Sequence, residues 1–123
     1  MSTEPGEVVR ALWQRIWIDG ELDALGDLVA DPYVRHTRQG TLVQDPATYG
    51  ESVAAAIEVI RGTKVVLDDI VTVGETVWAR MTLHAVNINM GDQVRITWMG
   101  QYRIADGKVA ESWVLHETGL DWS

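Results

Sequence analysis

Two histidines and one arginine carry the sequence's best prospects for chemistry. A histidine can take or give a proton near neutral pH, so His36, which follows a short apolar run, and His84 are candidate general acids or bases. Arg80 stands four residues before His84. On one face of a strand the two would lie about 13 Å apart, a span that suits a ligand between them better than a direct pair. Arg80 would then steady an oxyanion. His116 alternates with Leu115 and is expected to point away from Trp113, toward the far side of the sheet.

The aromatic inventory is skewed to six Trp and three Tyr, with no Phe. An indole offers a broad apolar surface and one N–H donor, which suits a pocket for an apolar organic ligand as well as a core. The expected pocket walls are Trp17, Tyr33, Trp98, Tyr102, Trp113 and Leu115.

Other chemistries are poorly provided for. There is no cysteine, which removes disulfides, thiolate metal sites and thiol nucleophiles. No carboxylate stands with a histidine at a metal-ligand spacing, and no nucleophile elbow, P-loop or dinucleotide fingerprint is present. Ser2, Ser52, Ser112 and Ser123 have no neighbouring histidine. The expectation is therefore catalysis without metal or cofactor, or binding alone.

The elements that would position these residues follow from periodicity. Val8, Val9, Leu12, Trp13, Ile16 and Trp17 form a broad helical stripe, with Thr3 as cap, Pro5 in the first turn and Gly20 as stop. A short helix is predicted over 22–29, then a short strand over 33–37 and a loop through Arg38, Gln39 and Gly40. Asp45-Pro46 starts a third helix, with Tyr49, Val53, Ala56, Ile57 and Ile60 on its apolar face. From Thr63 the period falls to 2, giving strands at about 63–73, 76–89, 93–105 and 108–118. Asp106-Gly107 is a two-residue hairpin turn of type I′.

That order predicts a single α+β domain over residues 1–123, with N-terminal helices packed on a curved, mainly antiparallel sheet. An uninterrupted last hairpin would pair Gly100 with Trp113 and Trp98 with Leu115. Trp98, Tyr102, Glu111, Trp113 and Leu115 would then share a face, which serves equally as a pocket or a plain core. The preceding hairpin has two possible registers. A three-residue turn turns Arg80 and His84 onto that face; a two-residue turn puts Val77, Ala79, Met81 and Leu83 there instead.

The wording of several segments resembles the SnoaL-like branch of the nuclear transport factor 2-like superfamily. They are Trp17–Leu25, Asp31–His36, Thr76–Thr82 and above all Tyr102–Trp113. The resemblance implies a cone-shaped cavity between sheet and helices, and a homodimer through the sheet's other face. It favours the register with Arg80 inward. It also implies a pocket position for His36, an arginine-bearing strand at Arg80 and a pocket-wall aromatic at Trp113. Members with polyketide cyclase or epoxide hydrolase activity carry an aspartate just after the position of Trp113, and the hydrolases another two residues after the arginine. Here Val114, Leu115 and Thr82 stand at those places, so the epoxide-hydrolase site does not carry over. What the resemblance leaves is a cofactor-free cyclase, isomerase or related enzyme acting on an apolar metabolite, or a binding protein with the same pocket.

Charge narrows the partners. The formal net charge is −8, and nucleic acids and anionic membranes both call for a basic surface. No apolar run reaches the ~20 residues that span a bilayer. The acidic start, Met1 to Glu7, resembles neither a secretory signal nor a basic transit peptide, and a cytoplasmic protein is expected.

Overall fold

The computed structural model describes residues 4–120, so the expected Thr3 cap lies outside the described residues. Helix α1 (Pro5–Ala11) runs directly into a π-helical segment, Leu12–Ile18. The wider turn is closed by the Asp19 N–H donating to the Gln14 carbonyl at 2.9 Å. Gly20, at φ 71°, ends it. The broad stripe read from the sequence is the buried face, with Val8, Val9, Leu12, Trp13 and Ile16 all enclosed.

A 3₁₀ turn (Leu22–Ala24) and the single turn α2 (Leu25–Leu28) lead into β1 (Val29–Thr37). The chain is thus extended from Val29, where the sequence predicts helix through 29 and a strand only from 33. The loop predicted after Thr37 is in fact a tight turn into an edge strand, β2 (Gly40–Gln44), paired antiparallel with β1. Helix α3 (Pro46–Val59) begins as predicted, the Asp45 side chain accepting from the Thr48 backbone N–H at 2.7 Å. Strands β3 (Ile60–Val73), β4 (Thr76–Asn87), β5 (Gln93–Ala105) and β6 (Lys108–Thr118) follow. Their order in the sheet is β2-β1-β6-β5-β4-β3, parallel only between β1 and β6.

The helices cover one face of this sheet. Their apolar residues meet Val77, Ala79 and Met81 of β4, Tyr102 and Ile104 of β5, and Val109 of β6. A smaller cluster of Leu83, Ala85 and Ile96 extends the core under Ile18 and Ile60.

Two registers decide which side chains face the helices. In β4–β5, Val77 pairs with Tyr102, Met81 with Trp98 and Arg80 with Met99. Neither a two-residue nor a three-residue turn joins the strands, since Val86 pairs with Gln93 and the Asn87 N–H donates to the Asp92 carbonyl. The facing is nonetheless that of the second alternative: Arg80 and His84 lie on the face away from the helices, and the expectation of an inward Arg80 is corrected. Burial explains the choice: Val77, Met81 and Leu83 remove more apolar surface from water than Arg80 and His84 could.

In β5–β6 the hairpin turn is as predicted, with φ of 52° at Asp106 and 75° at Gly107. Ala105 pairs with Lys108 and Ile104 with Val109, but Arg103 then pairs with Glu111. Ala110 is the extra residue of a β-bulge, and it reverses every side chain beyond it. Tyr102 faces Ser112, Gly100 faces Val114 and Trp98 faces His116. Trp113 and Leu115 are thereby turned to the outer face, and His116 to the inner one, the reverse of the sequence-based expectation.

The bulge makes Gly100 a packing requirement. A Cβ there would lie 2.8 Å from Val114 Cγ2, 3.1 Å from the Trp113 carbonyl oxygen and 3.3 Å from the Tyr102 ring. Gly100→Ala should cost about 1–3 kcal/mol by overpacking, read as a lower urea midpoint at unchanged m-value. An unchanged midpoint would mean β6 can shift away from β5 freely.

Candidate functional site

Between the π-helical segment and the inner face of the sheet lies a cavity of about 210 Å³. Trp13 and Trp17 hang over it from the helix, and Trp98 rises from β5 beneath them. Trp13 and Trp17 stack at 5.6 Å, Trp13 meets Trp98 edge-on at 4.8 Å, and Trp17 lies 6.0 Å from Trp98. The His116 ring stacks on the free side of Trp98 at 4.3 Å. The result is a continuous aromatic wall with one imidazole in it.

The opposite wall is phenolic. Tyr33 of β1 and Tyr49 of α3 meet edge to face at 5.0 Å. The Tyr33 hydroxyl shares a 2.9 Å hydrogen bond with Ser112 Oγ, and Trp13 Nε1–H donates to the Tyr102 hydroxyl at 3.3 Å. Burial raises the pKa of all three phenols above the ordinary tyrosine value, and for Tyr33 the neighbouring Tyr49 adds to the effect. They therefore stay protonated, as O–H donors, through neutral pH. Arg35 enters the same space from β1, its guanidinium 4.7 Å from the centre of the Tyr49 ring and donating from Nη1 to Gln44 Oε1 at 3.1 Å. Arg38 and Gln39 of the β1–β2 turn border the cavity beside it.

Four of the predicted ligand-wall residues, Trp17, Tyr33, Trp98 and Tyr102, line this cavity. Leu115 borders it too, although 64% of its surface is exposed. Trp113 does not: it lies on the outer face beside Trp78 and Met99, along a shallow groove. His36 borders both the cavity and that groove. Its ring stacks on Trp113 at 5.0 Å, and its Nε2 and Nδ1 are held by Glu111 at 2.7 Å and Thr41 at 3.0 Å. His84 sits on the outer face between Lys64 and Arg95, and Arg80 there between Asp69 and Met99. His36, His84 and Arg80 therefore do not converge on one cavity.

The sequence reading passed over Trp13, Arg35, Tyr49 and Ser112, and placed His116 on the wrong face. One signal for the last two was present. Val109 and Ala110 are consecutive small apolar residues, both buried, and they interrupt strict alternation where the bulge occurs. Among the described residues, no group of three or more metal-ligating side chains is gathered anywhere.

A family model described as the SnoaL-like domain matches residues 9–112. No sequence among the curated proteins matches the chain. Solved structures do. A SnoaL-like polyketide cyclase from Agrobacterium tumefaciens is 14% identical, with 94% of this chain and 92% of that one covered at a TM-score of 0.78. IdmH from Streptomyces antibioticus is 17% identical, with 94% and 93% covered at 0.79. A Catenulispora acidiphila protein with a ketosteroid isomerase-like fold, in complex with trimethylamine, is 16% identical, with 89% and 84% covered at 0.75. At these identities the likeness is one of fold.

The His36–Glu111 contact has a measurable consequence at the cavity edge. The hydrogen bond from His36, followed by that from Arg103, holds the Glu111 carboxyl below its ordinary value of 4.5. Its stabilisation is thus fully present above that value and is lost as pH falls through the lower folded pKa. Glu111→Gln should lower Tm at pH 7, and the gap from wild type should close as the pH is taken down below 4.5. A gap independent of pH would show that the side chain matters only by its shape.

Proposed function

The chain belongs to the SnoaL-like domain family, and from that premise we propose that its inner cavity binds a small, largely apolar organic molecule and converts it by acid–base chemistry without a cofactor. The reaction class is the one this fold serves in relatives described as cyclases or isomerases. The observation that supports this reading is the cavity wall itself: three indoles and the His116 imidazole on one side, hydroxyl donors on the other. An apolar ring system held against Trp13, Trp17 and Trp98 would present a carbonyl to Tyr33 and Ser112. His116, stacked on Trp98, is the group within the wall suited to carry a proton. His36, with its ring nitrogens engaged by Glu111 and Thr41, serves better as a support for the β1–β6 edge.

A second reading, a ligand carrier or accessory protein, is favoured by one specific observation. Among the described residues, no carboxylate lines the cavity, whereas cyclases and hydrolases of this fold place an aspartate at the end of the corresponding strand. The two readings part at His116. Tryptophan fluorescence titration with a bicyclic ketone such as 2-acetylnaphthalene should show quenching in both, and Trp98→Ala should weaken binding tenfold or more. Screening ketones, lactones and epoxides for turnover should then show a reaction abolished by His116→Ala with binding kept. Turnover unaffected by His116→Ala removes that residue from the chemistry, and binding without any turnover leaves the carrier.

The outer face belongs to the same proposal. Trp78, Met99, Trp113 and Leu115 expose apolar surface side by side across β4, β5 and β6, and a second copy of the chain would cover it. The described residues contain no helix long and apolar enough to cross a membrane. Light scattering should give a dimer for the wild-type chain and a monomer for the Trp78→Glu, Leu115→Glu double variant. A wild-type monomer at tens of micromolar refutes the pairing.

A further inference from the structure

The charges around the cavity are unlike those of the rest of the molecule. The chain carries 18 acidic residues against 10 Lys and Arg, yet the charge-bearing groups lining the cavity are Arg35, Arg38 and the imidazoles of His36 and His116. Three arginines elsewhere meet carboxylates: Arg10 meets Glu7, Arg15 meets Glu21 and Arg103 meets Glu111. Arg35 does not. Its protein contacts are the Gln44 amide oxygen and the face of Tyr49, and its cross-strand neighbours are Leu42 and Ser112. A guanidinium has five N–H donors in a planar fork matched to a carboxylate, and here most of that fork has no protein acceptor among the described residues.

The position of Arg35 makes the lack of a counter-ion consequential. The residue is partly buried between the phenol cluster and the cavity. Its positive field is felt at Tyr33, Tyr49 and Tyr102 alike, drawing each phenol's pKa down against the larger effect of burial. A partly buried cation held by a neutral amide and a ring but no counter-ion gains most from an anion of fitting shape. The remaining surface sets the rest of the ligand. Three indoles ask for a flat apolar ring, and about 210 Å³ compares with the roughly 150 Å³ of a cavity that takes benzene.

We propose that the cavity's ligand is an organic anion, a carboxylate on one or two fused apolar rings, with its carboxylate on Arg35 and its rings against Trp13, Trp17 and Trp98. This rests on the cavity being a ligand site and adds the charge and size of what it takes. It also supplies from the ligand side the carboxylate that the cavity wall lacks.

Calorimetric titration of the full chain at pH 7.5 with 2-naphthoate and with its neutral counterpart 2-naphthamide tests the assignment. The naphthoate should bind at least tenfold more tightly. Arg35→Gln should reduce naphthoate affinity tenfold or more while changing the amide by less than threefold, and Arg35→Lys should keep part of the preference. Equal affinity of the two compounds for wild type overturns the carboxylate assignment and leaves the cavity reading standing. So does a preference that survives Arg35→Gln. Failure of both compounds to bind the wild-type chain sinks the cavity as a ligand site, and this proposal with it. If Arg35→Gln does not fold, the wild-type comparison still tests the preference for a carboxylate, and Arg35→Lys tests its seat on Arg35, an unreduced preference there overturning that seat.

Discussion

Between the pairs Ile104–Val109 and Arg103–Glu111, β6 holds one residue more than β5, and the composition of both sheet faces follows from it. A strand has a period of 2, so a single inserted residue exchanges its faces. With Ala110 taken up in the bulge, Ser112, Val114 and His116 join Trp98, Gly100 and Tyr102 under the helices. Without it, Trp113 would face Gly100 and the imidazole on Trp98 would be absent. The bulge is stable because both residues preceding the shift are buried: Val109 is fully enclosed and Ala110 nearly so. Gly100 then admits Val114, and the hydroxyl of Ser112 reaches Tyr33 across to β1, tying the parallel strand to the hairpin.

The helix side of the cavity shows a comparable economy. Trp13 and Trp17, four residues apart on the π-helical segment Leu12–Ile18, stack on each other, and both rings reach Trp98 while Leu12 and Ile16 stay in the core. π-turns recur at functional sites because they shift one side chain without ending the helix. The polar atoms admitted in this process are mostly satisfied: the Trp13 N–H has the Tyr102 hydroxyl and Tyr33 has Ser112. Trp98 Nε1 is the one buried side-chain donor without an acceptor among the described residues. Such a group costs about 1–3 kcal/mol, a cost set against the three ring contacts that the same indole makes.

The fold was legible because its signals are local. The Asp45 cap and the Asp106-Gly107 turn each act within a few residues and stand in the structure, while the change of period expected at Thr63 comes earlier, at Ile60, which opens β3 instead of lying on the face of α3. Strand β2 was missed because Gly40–Gln44 is short, exposed and at the sheet edge, where nothing imposes an apolar alternation. The site was legible in its residue types and much less in its geometry. Choosing His36 as the working residue of β1 put its neighbour Arg35 on the other face by alternation, and Arg35 is the one beside Ser112. Reading the last hairpin without a bulge exchanged Trp113 for His116. The register of β4 against β5 was open in the sequence, since both faces of β4 carry plausible interior residues, and tertiary burial settled it.

Charge acts differently at long and short range in this molecule. A net charge of −8 repels an approaching organic anion, but that repulsion fades over a Debye length of about 8 Å at physiological salt. Inside the cavity the nearest charges are cationic, and the walls of indole and phenol lower the local dielectric that screens them. Long-range repulsion therefore acts on the rate of arrival, while the contact with Arg35 acts on the lifetime of the complex. A small, strongly hydrated anion gains too little from Arg35 alone to offset leaving water. A ring carboxylate gains both the ion pair and the burial of its apolar face, and the acidic exterior and basic interior together select for the second kind of molecule.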